Sequence, residues 1–288
     1  MTRPSLAMMN TRTKLRIARA LYRTVMGFRR LLGRTDSALV TRRGIRWQLD
    51  LREGIDLAIY LFGGFEYDTF RAYRKLLKPG NTVLDIGANI GAHTLPLARC
   101  VYPAGRIVAF EPTAYAYGKL RQNISLNPTI AGMIQAEQIM LVGIDNSQVK
   151  PRLYSSWQIH EALPDTHPKH GGRLMDTTGA RHMTLDQFVT RYNVAAVSLI
   201  KLDVDGHECQ VLRGARELLR RDKPVLLTEI MPYGLEETGA SLDELLEILA
   251  AHGYKLYQLD GRTALPTDSR IRQKIPTAGG INILCYAR

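Results

Sequence analysis

The chain has 288 residues, 45% of them hydrophobic, enough to build one large α/β domain with an N-terminal appendage. It carries 39 basic and 27 acidic side chains for a net charge of +12, and its three cysteines, Cys100, Cys209 and Cys285, are scattered. That scatter argues against a disulfide framework or a zinc knuckle, and no apolar run is long enough to cross a membrane. Arginines interrupt the N-terminus where a secretory signal would need an apolar core, so the expected compartment is the cytoplasm.

Taken in chain order, residues 1–36 hold most of the excess charge. Residues 1–34 contain nine basic side chains and no acid, which leaves three of the twelve net charges for residues 35–288. Ile17, Leu21, Val25, Phe28 and Leu32 recur at helical spacing, and Arg12, Arg16, Arg19, Arg23 and Arg30 keep a similar beat on another face. This is the pattern of a basic amphipathic helix. Two uses fit it: packing on its own domain or a partner subunit, or resting on an anionic membrane surface. An Arg-rich, acid-free composition also fits an organelle transit peptide.

Residues 37–80 read as a prelude. Strands at 38–41 and 45–51 flank Arg42-Arg43-Gly44 as a hairpin, and a helix over 65–77 is closed by Lys78-Pro79-Gly80. Residues 81–288 then alternate: strand 82–86, helix 91–100, strand 106–110, helix 113–125 and a strand near 136–142. Pro96 lies close enough to the start of its helix to be tolerated. An irregular stretch over 145–182 intervenes and is expected to form a loop over the acceptor pocket, since long structureless loops are commonly functional. Its histidines, His160, His167, His170 and His182, lack the tight spacing and nearby cysteine of a zinc site. The alternation resumes with strand 197–202, helix 207–220, strand 225–230, helix 242–252, strand 254–259 and a last strand 281–286. Ser241 and Glu244 form a capping box for the helix at 242. Such alternation predicts a doubly wound, mostly parallel sheet covered on both faces.

The most informative stretch is Val83-Leu84-Asp85-Ile86-Gly87-Ala88-Asn89-Ile90-Gly91. An apolar strand ends in an acid and turns at once through two glycines, which carry no Cβ to hold a nucleotide off the backbone. A second strand, Ile107-Val108-Ala109-Phe110, ends in Glu111-Pro112. An acid at that strand tip is what a doubly wound fold uses to grip ribose hydroxyls, so the expected ligand bears adenosine. The turn is not the Gly-x-Gly-x-x-Gly of a nicotinamide enzyme. Further on, Lys201, Asp203 and Asp205 alternate with apolar residues and share one face as the fourth strand leaves the sheet. Lys201 lies deeper, and a buried ammonium needs the carboxylates beside it.

The ordered set of motifs resembles the FkbM family of O-methyltransferases, within the class I S-adenosylmethionine-dependent enzymes. The residues that carry it are Arg43-Gly44-Ile45, Asp50 to Asp56, Gly63-Gly64-Phe65-Glu66, Lys78-Pro79-Gly80 and the turn Asp85 to Gly91. Phe110-Glu111-Pro112, Thr184-Leu185-Asp186, Lys201 to Glu208 and Val211-Leu212-Arg213-Gly214-Ala215 complete it. The family usually has Glu where this chain has Asp205. It also has an acid directly after the third strand's glycine, where Ile144 follows Gly143 and the acid is Asp145, here the adenine-side candidate. The resemblance implies a Rossmann-like seven-stranded sheet with an antiparallel last strand. It implies that Asp85 orients the methionine amino group, that Gly87, Ala88 and Gly91 approach the cofactor through backbone, and that Glu111 accepts the ribose hydroxyls. Asn89 suits the unusual backbone angle of the turn, and Glu66 is a candidate for closing the pocket from the N-terminal side.

The acceptor implied by the resemblance is a hydroxyl of a sugar, glycan or polyketide-type molecule. Methyl transfer from a sulfonium demands in-line alignment, and a hydroxyl acceptor also sheds a proton. Asp203 and His207 are the candidate bases, His182 a third, with Lys201 as partner of Asp203. A variant has Asp203 and Glu229 hold a magnesium ion against the acceptor. Two other functions compete. The basic balance suggests an RNA methyltransferase, but the charge sits in one terminal segment and neither a base-stacking aromatic set nor an Asn/Asp-Pro-Pro-aromatic turn is present. The third is a binding protein that keeps the fold without catalysis.

Overall fold

The computed structural model describes residues 11–143, 152–157, 159, 172–276 and 279–287. Helix α1 (Thr11–Leu31) precedes a hairpin of β1 (Ser37–Arg42) and β2 (Ile45–Asp50), then α2 (Gly54–Phe62) and α3 (Tyr67–Leu76). The alternating part begins with β3 (Thr82–Ile86), α4 (Thr94–Val101), β4 (Arg106–Phe110), α5 (Ala114–Ser125), α6 (Pro128–Ala131), β5 (Ile134–Glu137) and β6 (Ile139–Leu141). An antiparallel pair, β7 (Arg152–Trp157) and β8 (Gly172–Asp176), leads to β9 (Arg181–Met183), α7 (Leu185–Arg191) and β10 (Val197–Leu202). The rest is α8 (Glu208–Arg213), α9 (Arg216–Asp222), β11 (Val225–Ile230), α10 (Pro232–Glu237), α11 (Leu242–Ala251), β12 (Tyr254–Tyr257) and β13 (Ile281–Ala287).

Seven strands make one sheet in the order β12-β13-β11-β10-β3-β4-β5. Every pairing from β5 to β11 is parallel, and β13 alone runs antiparallel, between β11 and β12. This is the expected doubly wound, Rossmann-like sheet with an antiparallel last strand. Its strands are apolar on both faces because helices cover both. Leu84, Ile86, Val108, Phe110, Ile200 and Leu202 bury against α7, α8, α9 and α11. Val83, Ile107, Leu199 and Leu227 bury against α1 to α4 and β2. By the two-residue period of a strand, Asp85 and Lys201 point to this second face with Val83 and Leu199.

Several segments depart from the expectation. The strand predicted near 136–142 is two strands: β5 stays in the main sheet, and β6 leaves to pair in parallel with β9. The side-chain amide of Gln138, between them, binds the Thr178 carbonyl, and its own carbonyl accepts from Arg181, which pulls the chain toward β9. The helix predicted over 207–220 is broken into α8 and α9. Gly214 packs there so closely on the Val142 carbonyl that a Cβ would overlap it. The stretch 145–182 is not wholly irregular, since β7 and β8 pair within it. Ile159 is fully buried, its N–H bound to the Arg52 carbonyl and its own carbonyl bound by Arg19. Helices α2, α7 and α10 were not expected. The signal for α7 is a capping box, Thr184 with Gln187, complete in both bonds. Of the box expected at Ser241 only the half in which its hydroxyl accepts the Glu244 N–H forms, and the Glu244 carboxylate accepts from Arg213 instead.

Helix α1 docks on the domain through only part of the predicted stripe. Among its described side chains Tyr22, Met26 and Arg29 are buried, with Ala18, Leu21 and Val25 half-buried beside them. Arg29 is 7% exposed and gives its guanidinium to the carbonyls of Thr35 and Ser37, while the Tyr22 hydroxyl donates to Asp36 at 2.5 Å. Phe28 and Leu32, expected on the docking stripe, are 68% and 70% exposed. The reason is that the buried stripe is amphipathic itself: an arginine and a tyrosine reach polar groups at its edge. Among the described residues no helix is long and apolar enough to cross a membrane.

Candidate active site

The carboxyl ends of β3 and β10 lie side by side, with Lys201 paired opposite Asp85 in the register. Asp85 is fully buried. Its Oδ2 accepts from the Thr94 hydroxyl at 2.6 Å, while Oδ1 makes no hydrogen bond and stands 3.8 Å from Lys201 Nζ. Lys201, 2% exposed, donates to Asp203 Oδ2 at 3.0 Å. Burial alone would drive its ammonium toward neutrality. The negative charges of Asp203, Asp85 and Glu66 reverse that, so its pKa lies above the ordinary lysine value. Lys201 is therefore the fixed cation around which these acids are arranged.

The turn after β3 is built from unusual backbone. Gly87 and Gly91 have φ of +80° and +92°, and Asn89 has +49°. A Cβ on Gly87 would overlap the Asp203 carbonyl oxygen, and one on Gly91 would come within 2.6 Å of Leu95 and 2.9 Å of Leu120. Both glycines also make room for the protein itself, Gly87 for the exit of β10. Glu111 lies just past β4 and is 3% exposed. Its Oε2 accepts the Asn89 N–H at 2.9 Å; Oε1 accepts the Thr113 N–H at 2.9 Å and hydroxyl at 2.5 Å. Burial pushes this carboxyl up despite those three donors, with the charge of Asp85 adding to the effect. A carboxylate has roughly four acceptor positions, so it is held in place and can still accept from a ligand.

A second group of side chains gathers around Glu66. Glu66 has φ of +46°; its Oε1 accepts from Asn282 Nδ2 at 3.3 Å, and its Oε2 is 3.4 Å from His93 Nε2. Burial raises the Glu66 carboxyl, but His93 and Lys201 outweigh it and bring it below its ordinary value. His93, 5% exposed, meets the rings of Phe65 and Tyr73 edge-on, and neither ring nitrogen makes a hydrogen bond. Asn282 on β13 pairs opposite Glu229 on β11. Burial, then repulsion from Asp203 and Glu66, raises the Glu229 carboxyl well above the usual range. Glu208, at the start of α8, accepts from the N–H groups of Val204 and Gly206, and burial with the nearby Asp203 charge pushes it up to about 7.

Of the residues expected from the sequence, the structure brings Asp85, Lys201 and Asp203 into one cluster and joins Asn89 to Glu111. Glu66 enters that cluster electrostatically through Lys201 and Glu229. His207 occupies the N-terminal cap position of α8, four residues past Asp203, and Asp205 is exposed with φ of +49°. His182 stands apart. It lies on β9 opposite Met140, with an exposed side chain, and β6 and β9 pack through Ile139 and Leu141 on the sheet face opposite to Lys201. Asp145, and with it His160, His167 and His170, lies outside the described residues. Among the described residues no three or more His, Cys, Asp or Glu side chains converge as metal ligands. Sequence reasoning missed His93, Thr94, Thr113, Glu208 and Asn282. The first two directly follow the glycine turn and were open to suspicion there; Asn282 reaches the site only through strand pairing.

The methyltransferase FkbM domain matches residues 85–256, from the acid of the turn to the sixth strand of the sheet. The chain belongs to the FkbM methyltransferase family. Among its relatives, the 31-O-demethyl-FK506 methyltransferase FkbM of Streptomyces tacrolimicus is 26% identical over 62% of this chain and 74% of its own length. Methyltransferase 1 of Beauveria bassiana is 31% identical over 46% of this chain and 57% of its own length. The crystal structure of methyltransferase FkbM from Methylobacillus flagellatus is 18% identical with a TM-score of 0.45, covering 77% of this chain and 48% of that one.

Proposed function

We propose that this FkbM-family protein transfers the methyl group of S-adenosylmethionine to a hydroxyl of a sugar, glycan or polyketide-type acceptor. One observation carries the reading. Asp85 and Glu111 end two adjacent parallel strands, flank the Gly87–Gly91 turn, and keep acceptor capacity on buried oxygens. That donor set fits a ligand with an ammonium at one end and a ribose diol at the other, and the surrounding acids suit a sulfonium between them. The direction toward oxygen is supported by the name of the Streptomyces relative, whose substrate is an O-demethyl compound.

Asp85 Oδ1 would accept from the methionine ammonium and Glu111 Oε2, through its remaining acceptor position, from a ribose hydroxyl. When bound, the cofactor supplies a methyl carbon made electrophilic by the adjacent sulfonium. Lys201 fixes one oxygen of Asp203 at 3.0 Å, which orients the carboxylate to take the proton of the acceptor hydroxyl. As the acceptor oxygen took up the methyl group and the cofactor left as its neutral thioether, the hydroxyl proton would pass to Asp203; His207 is the second candidate for that role. Burial around Asp85, Thr94 and Lys201 keeps competing water out.

Calorimetric titration with S-adenosylhomocysteine tests the cofactor, with NADH as control. Binding of S-adenosylhomocysteine alone, weakened about tenfold or more in Glu111→Gln, is the expected result, since bonds to a charged group contribute about 1.5–3 kcal/mol. Binding of NADH alone would overturn the reading. In turnover with an accepted substrate, Asp203→Asn should cost about a hundredfold or more and His207→Ala less. An EDTA arm tests whether Asp203 and Glu229 work through magnesium: activity lost to EDTA and restored by the ion would assign them as ligands.

A further inference from the structure

The docked helix α1 has three faces, not two. At about 100° per residue, the buried residues Tyr22, Met26 and Arg29 define one face. Arg16, Arg23 and Arg30, all exposed, define a second. Ile17, Phe28 and Leu31, with Leu32 just beyond the helix, define a third, and they are 39%, 68%, 83% and 70% exposed. The three directions lie roughly a third of a turn apart by the same geometry. A helix that only packs on its domain has no need of a bare apolar face beside a basic one, and residues 11–34 contain no acid to neutralise it.

The apolar side chains are not confined to the helix. Arg29 of α1 donates to the Tyr60 hydroxyl of α2 and stacks on its ring, and Arg42 of β1 donates to the Tyr60 carbonyl and stacks on the same ring. Three elements therefore meet at Tyr60. Each of them also exposes a large apolar side chain: Phe28 and Leu31 on α1, Leu39 (54%) on β1, and Phe62 (64%) on α2.

We propose that this end of the molecule is a membrane-docking surface, in which Phe28, Leu31 and Leu32 enter the interfacial region of an anionic phospholipid bilayer while Arg16, Arg23 and Arg30 pair with its headgroups. The charge pattern selects the occupant. A protein partner of ordinary composition would have to supply a strongly acidic rim around an apolar patch, whereas an anionic bilayer offers both at once. Docking of α1 through the face of Tyr22, Met26 and Arg29 holds the helix against the domain, so its other two faces can meet a plane together. Docking of this kind is independent of the methyl-transfer reading.

The full chain is sedimented with large unilamellar vesicles of phosphatidylcholine alone or mixed with phosphatidylglycerol, at low and high salt. The expected result is binding to the anionic vesicles at low salt, weakened at least tenfold by high salt and on pure phosphatidylcholine. The combined variant Phe28→Ser, Leu31→Ser, Leu32→Ser should lose binding at least tenfold, as should Arg23→Glu with Arg30→Glu. These positions are exposed, so thermal unfolding should be unchanged in both. A Leu32→Trp variant gives a direct report: its emission should shift to the blue on anionic vesicles. Equal binding to both vesicle types, wild-type binding by the serine variant, or no blue shift would overturn the proposal. So would concentration-dependent self-association abolished by the serine variant without vesicle binding, which would assign the face to a second copy of the chain.

Discussion

Lys201 stands between Asp85 and Asp203, 3.8 Å from one carboxylate and 3.0 Å from the other. Replacing it with Met leaves two carboxylates uncompensated, one of them fully buried. Breaking a buried pair from one side costs about 3–5 kcal/mol, so Lys201→Met should lower the urea midpoint by a corresponding amount. Glu208 makes the opposite case. Its carboxyl is pushed up from 4.5 to about 7, chiefly by burial. The folded chain therefore binds a proton that the unfolded chain releases over that interval. The stability this gives is fully present at low pH and is lost as pH rises through about 7, at up to about 1.4 kcal/mol per pH unit. Urea titrations across that range should show the decline, and Glu208→Gln should flatten it. Both residues lie in a stretch whose alternation was legible in the sequence; the depth of their burial was not, because it depends on which helices cover the sheet.

At the scale of elements, the turn and its neighbours explain why the site keeps its shape. Gly87 has left-handed backbone and no space for a methyl group, since the Asp203 carbonyl occupies it. Gly87→Ala should destabilise by about 3 kcal/mol or more, through strain and overlap together. Gly118 is a control: it lies inside α5, and nothing stands within 4 Å of the position a methyl group would take. Gly118→Ala should instead raise stability by about 0.5–1 kcal/mol, because the unfolded chain loses freedom. A pair of thermal melts separates the two outcomes. The same contrast shows why glycine content read from sequence is ambiguous. A strand-turn-glycine pattern signals a close approach, and only packing tells that the approaching group is the chain's own carbonyl.

For the whole molecule, α1 and the hairpin share one apolar core with the sheet. Tyr22 and Met26 bury in the same cluster as Trp47, Tyr73 and Val83. Removing residues 1–34 would expose that surface and sever the Arg29 bonds to Thr35 and Ser37. With roughly 1.5–3 kcal/mol for each large side chain uncovered, the truncated chain should unfold several kcal/mol earlier in urea. An unchanged midpoint would show that the helix does not dock. The whole-molecule arrangement also places Asn282, from the last strand, against Glu66, from the segment before the first, on opposite ends of the chain.

The sequence by itself determined the sheet, its alternation with helices, the acid-ended strands and the glycine turn, because these follow from short-range periodicity and local backbone requirements. It also marked Asp85, Glu111, Lys201 and Asp203, which stand at strand ends where a period of two sets the direction of each side chain. Tertiary structure alone decided which face of α1 meets the domain, where β6 leaves the sheet, that His182 lies away from Lys201, and that His93 and Asn282 join the site. Those outcomes depend on contacts between segments far apart in the chain. There the choice is made by volume, carbonyl positions and charge compensation in the assembled core, none of which has a period to read.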